Sequence, residues 1–254
     1  MSGDVNLIKS FESEVVLGRV SGITAETVIG CAPDVDTVDV PMTLWCATVK
    51  GYYPWMAVAA PLEVVSDSAA DTSAGTGAQK VFIEVLDADY VKSEIVITLN
   101  GLTPVPIGTW FRVNRLRTEV VGSAGGNVGT INVRRVTGGL IQQSLRAGMG
   151  QAFSAIYTIP KGYTGLGVQV RHNMIREAVT ANAITVENRD RLFPNGWIYR
   201  NAVQVSTSAN LEDTTFFQYP TRLPSTTDIE FVITNVTANN TAIRCRVQFV
   251  LVKE

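Results

Sequence analysis

Histidine is almost missing from this chain: His172 is the only one in 254 residues. One histidine excludes histidine-rich metal centres. General-base catalysis also wants a histidine held by a second group and facing a nucleophile, and 169-QVRHNMI sets up neither, so His172 reads as structural. Neither a G-x-S-x-G elbow nor an H-E-x-x-H helix is present. Cysteine is scarce too, at three residues, Cys31, Cys46 and Cys245. The odd count and an N-terminus without a basic segment leading into an apolar one predict reduced thiols. Cys245 alternates in phase with Ile243, Val247 and Phe249 and reads as core. Charged residues make up 17% and the net charge is −2, which excludes a general nucleic-acid binder. No run approaches the roughly 18 apolar residues of a membrane helix, so no membrane partner is expected. Asp67, Asp71, Asp87 and Asp89 fall short of a calcium-loop pattern. No catalytic residue, metal or cofactor is expected, and no small-molecule ligand.

What the chain does have is period two. Hydrophobic residues reach 46%, enough for a sizeable core. Val81, Ile83 and Val85 share one face of 80-KVFIEVLDADY; Ile95, Ile97 and Leu99 share one face of 94-EIVITLNG. The segments 229-IEFVITNV and 243-IRCRVQFVLV flank an Asn-rich turn at 239-NN, a hairpin signal. Only 173-NMIREAVTANA resembles a helix. Many short strands between Gly/Pro turns predict an all-β chain, a β-sandwich or jelly roll of two packed modules. Residues 1–56 read as an N-terminal arm or extra strand layer, 57–146 as a first sandwich module and 147–254 as a second, jelly-roll-like one.

The stretch 122-GSAGGNVGTINVRRVTGG holds six glycines in eighteen residues beside a basic pair. Its spacing is neither G-x-G-x-x-G nor G-x-x-x-x-G-K-[ST], and a β-branched run follows it rather than a helix. It therefore reads as a strand connection. Arg134 and Arg135 fall on opposite faces of the strand it contains, 129–136, so one must turn towards the packed side, a sheet end or a partner. The expectation is that one contacts an acidic surface on a neighbouring subunit. Arg112, Arg115, Arg117, Arg134 and Arg135 together read as a solvated or partner-facing surface. Tyr52, Tyr53 and Trp55 cluster in 51-GYYPWM and, with Arg134 and Arg135, are the candidate partner-interface residues, because Tyr and Trp are enriched at interfaces.

Three segments carry a further signal: 75-GTGAQKVFIEVLDADYVKSEIVITLNGLTPV, 112-RVNRLRTEVVGSAGGNVGTINV and 148-GMGQAFSAIYTIPKGYTG. Together they resemble a group of virion structural proteins of tailed bacteriophages, over roughly residues 57–170. The resemblance implies a particle component and no enzyme. The leading role it implies is a capsid cement or decoration protein that bridges capsomers and stabilises the head. The partners would be the major capsid protein and copies of the chain itself, as a trimer or dimer, on the outer capsid surface after assembly in the host cytoplasm. A tail, fibre or baseplate component adsorbing to a host glycan receptor is the alternative.

Overall fold

A computed structural model describes residues 11–45, 50–175, 183–206 and 212–254. Among the described residues one short helix, α1 (Phe11–Val16), precedes sixteen strands. The N-terminal strands are β1 (Ile23–Val35) and β2 (Met42–Thr43). Next come β3 (Ala60–Ser66), β4 (Ala78–Leu86), β5 (Lys92–Thr98), β6 (Val105–Trp110), β7 (Arg112–Val121), β8 (Ile131–Arg135) and β9 (Ile141–Leu145). The rest are β10 (Ile156–Thr158), β11 (Tyr163–Ile175), β12 (Ala183–Leu192), β13 (Ile198–Ser206), β14 (Glu212–Leu223), β15 (Thr227–Val236) and β16 (Thr241–Lys253). Strands account for 61% of the described residues, and the fold is all-β as the period-two pattern predicts. The segment with helical character, 173–183, begins inside β11, and its residues 176–182 lie outside the described ones, as does Cys46.

The strands form four antiparallel sheets: β1-β16-β11-β14, then β10-β15-β12-β13 with β2 added on β15, then β6-β3-β8-β9, and β5-β4-β7. Four separate sheets make this a four-bladed, propeller-like arrangement and correct the jelly-roll expectation. The sheets are not simple meanders, since β1 pairs with β16 across most of the chain and β10 with β15 past four intervening strands. β15 is buried on both faces from Thr227 to Ile233, whereas alternation gives the inward faces of β4 and β16 correctly. Alternation is silent on which strands become neighbours, because that is decided by long-range pairing.

Apolar faces converge on two cores. One gathers Leu62, Val81, Ile83, Leu116, Ile131, Val133 and their neighbours between residues 56 and 145. The other draws on Val28 and Leu44 near the N-terminus and on residues 155–251, including Tyr157, Ile184, Phe231 and Phe249. Residues 23–35, expected in an arm or added layer, thus form a strand paired with the C-terminal β16 continuously from Ile23 to Ala32 and again at Val35. Gly30 makes that fit possible: a Cβ there would sit 2.4 Å from Ala155 Cβ.

The glycine-rich loop does cradle an anion, but the anion is part of the chain. Asp71, fully buried, accepts hydrogen bonds from the backbone N–H groups of Ala78 (2.8 Å), Val128 (2.9 Å) and Gly129 (2.8 Å) and from the Ser66 hydroxyl (2.6 Å). Four donors on one carboxylate offset its desolvation. Gly77 is required by contact, since a Cβ there would lie 2.1 Å from Asp71 Oδ1.

Candidate functional site at the seam between the two cores

Strand β15 carries Asp228 and Glu230 two residues apart, hence on one face, and both are 0% exposed. Its neighbour β12 carries Arg189 and Arg191 at the same pitch. The antiparallel register sets Arg191 opposite Asp228 and Arg189 opposite Glu230. Opposite charges facing each other across a ladder stabilise the pairing. Arg191 Nε donates to Asp228 Oδ2 (3.2 Å) and Arg189 Nη2 to Glu230 Oε2 (3.2 Å).

The third cation comes from the other core. Arg112, the first residue of β7, is 2% exposed. Its Nε and Nη2 donate to the two oxygens of Asp228 (2.9 and 3.0 Å), a bidentate pair. Its Nη1 donates to the carbonyls of Met56 (2.8 Å) and Phe111 (3.0 Å). Thr158 adds a hydroxyl to Asp228 Oδ1 (2.7 Å). Glu230 accepts from Trp55 Nε1 (3.0 Å) and from the Thr43 hydroxyl. Arg112 therefore departs from the expectation of a solvated or partner-facing arginine: its position at the start of β7 turns it into the seam.

Three guanidiniums against two carboxylates leave one excess positive charge, and aromatic faces meet it. Arg189 lies between Tyr52 (4.9 Å) and Trp197 (4.8 Å). Arg191 lies 4.4 Å from Trp197 and 5.4 Å from Trp55. Arg112 lies 5.1 Å from Trp55 and 3.8 Å from Phe111. The result is an alternating column of rings and cations running from the exposed Tyr52 to the buried Phe111. Arg189 Nε and Arg191 Nη2 have no hydrogen-bond acceptor, so ring faces complement the carboxylates around these half-buried cations.

A second polar tie runs alongside. Asn114 of β7 donates to the Thr158 carbonyl (2.9 Å) and accepts from the Thr158 N–H (2.9 Å), pairing with the edge of β10 as a strand would. Asn114 also donates to Glu84 (3.0 Å), as does the Tyr157 hydroxyl (3.1 Å). Arg115 pairs with Glu26 of β1, whose carboxyl is pushed up by burial, an effect that Arg115 opposes.

Among the five candidate interface residues, the structure brings three to this seam. Tyr53 is buried; its hydroxyl donates to the Gln142 carbonyl (3.0 Å), and burial pushes its phenol well above the usual range. Its ring packs edge-on against Trp45 (5.1 Å) and Trp55 (4.8 Å). Trp55 is half-buried and held by Glu230, whereas Tyr52 is 52% exposed. Arg134 and Arg135 lie elsewhere, on β8. Arg134 Nε donates to Glu63 of the same chain (2.8 Å). Arg135 is in phase with the buried Ile131 and Val133, and its Nε finds no acceptor.

Sequence reasoning passed over Asp228, Glu230, Arg189 and Arg191. Their signal was the matched spacing of 228-DIE and 189-RDR, but it acquires meaning only once β12 and β15 are known to pair in that register. The chain matches no family model and no curated protein.

Proposed function

We propose that this chain is a non-enzymatic virion structural protein, a capsid cement or decoration protein that bridges neighbouring capsomers. The observation that carries the reading is the seam. A buried bidentate pair, a ring–cation column and an Asn114 bridge couple two separate cores, so force applied to one is passed to the other through desolvated contacts that separate only at high cost. This suits a part whose task is to resist separation. The resemblance of roughly residues 57–170 to virion proteins of tailed phages supplies the particle context. Many copies, each burying an interface of about 1,200–2,000 Å², would add up to a large collective stabilisation.

Copy number tests the reading. Quantified from purified particles, the chain should approach capsid-scale stoichiometry and appear on the shell by electron microscopy. About a dozen copies at one vertex would refute it. A tail, fibre or baseplate component is the second reading, favoured by the exposed Tyr52, Tyr199 and Phe216. Glycan binding that disappears with Tyr52→Ala or Tyr199→Ala would select it.

A further inference from the structure

A second feature, on the other face of β12 and β15 from the seam, has the properties of a ligand site. The second core is incompletely filled: between its two sheets lies a cavity of about 260 Å³. Well-packed interiors hold few voids larger than a water molecule. The apolar part of the wall is Val170, Leu223, Ile229, Phe231, Val247 and Phe249; the polar part includes Asn188, Asn201, Asp190 and Arg200.

Two β-bulges shape it, one on each sheet. On β11, Gly167 pairs with Phe249 and Gln169 with Gln248, so Val168 is the extra residue. The bulge restores phase, so that Gly167 and Val170, three apart, both face the cavity. On β13, Asn201 pairs with Asn188 and Tyr199 with Arg189, so Arg200 is the extra residue. Bulges re-aim side chains and recur beside functional sites. Arg200 is re-aimed to Asp190, which is 2% exposed, and its Nε donates to Asp190 Oδ2 (2.9 Å). The two terminal nitrogens of Arg200 have no hydrogen-bond partner among the described residues, and its side chain is 42% exposed. A buried carboxylate thus fixes a guanidinium at the rim with its outer edge unused.

We propose that this cavity binds a medium-chain carboxylic acid, its tail between the two sheets and its carboxylate on the outer edge of Arg200. The chemistry follows from the wall. An apolar interior favours a hydrocarbon tail. A planar guanidinium edge favours a carboxylate over an alcohol or an amine. At about 30 Å³ per water-sized group, the volume holds roughly eight or nine such groups, so octanoate is the natural probe. The expectation of no small ligand had no access to this cavity, because its wall is assembled from six strands, β11 to β16.

Calorimetric titration of the intact chain with octanoate, octanol and octylamine tests the proposal. Octanoate should bind one to one, and more tightly than the other two. Arg200→Gln should weaken octanoate by about tenfold or more and leave octanol unchanged. Val170→Phe, which fills the apolar wall, should weaken octanoate and octanol alike, with retained melting behaviour showing that the variant folds. Absence of octanoate binding to the unaltered chain, or octanol or octylamine binding as tightly as octanoate, overturns the proposal.

Discussion

His172 makes the chain's stability depend on mild acid, and the size of the effect can be worked out. The imidazole is 2% exposed on the core face of β11, and neither ring nitrogen has a hydrogen-bond partner. Its cross-strand neighbours are Cys245 and Asp213, and the Phe231 ring is 6.2 Å away. Burial pushes its pKa down to about 4, against a weaker opposing pull from Asp213. An unfolded histidine titrates near 6.5. Between those values the unfolded chain binds the proton and the folded chain does not, so folding weakens as pH falls from about 6.5 towards 4. A difference of about 2.5 in pKa at about 1.4 kcal/mol each gives about 3.5 kcal/mol well below pH 4, of which about 2.5 kcal/mol is already lost at pH 4.5. His172→Leu removes the titrating group together with two unsatisfied nitrogens. Urea unfolding at pH 7.5 and pH 4.5 should therefore show a loss in the parent chain that exceeds the variant's by about 2.5 kcal/mol. At pH 7.5 the variant should be at least as stable as the parent. Other buried acids, such as Glu26, titrate in both proteins and cancel in the comparison. Equal pH dependence in the two would refute the reasoning.

Two further perturbations probe the seam and the loop. Arg112→Met strips Asp228 of its bidentate partner while leaving Thr158 and Arg191 in place; a loss of about 3–5 kcal/mol is expected in denaturant unfolding, and Arg112→Lys should restore only part of it. Asp71→Ala removes the acceptor of four hydrogen bonds, two of them from the glycine-rich loop, and should cost about 3 kcal/mol or more and expose the Val128 and Gly129 amides to hydrogen exchange.

The alternation of Val81, Ile83 and Val85, and of Ile243, Cys245 and Val247, was enough to establish an all-β chain and to say which side chains turn inward. Each strand carries that information in its own sequence. The Asn-rich turn before β16 was equally legible, and Asn240 adopts the positive φ (56°) that such a turn needs. The Gly-rich loop was read as a strand connection, and it joins β7 to β8. That its amides wrap the carboxylate of Asp71 was invisible, because Asp71 lies more than fifty residues earlier.

What only the tertiary structure decided is neighbourhood. Tyr52, Tyr53 and Trp55 stood out from composition as residues that wanted a partner, and Trp55 has one inside the chain, Glu230, 175 residues away. Arg112 looked like one of five similar arginines; it alone among them is almost wholly buried, because β7 delivers it opposite Asp228. Charges on a strand cannot reveal from sequence whether they meet water or a counter-charge. Burial is a property of the surrounding sheets, and here it fixed the four-sheet arrangement, the seam and the cavity beneath Arg200.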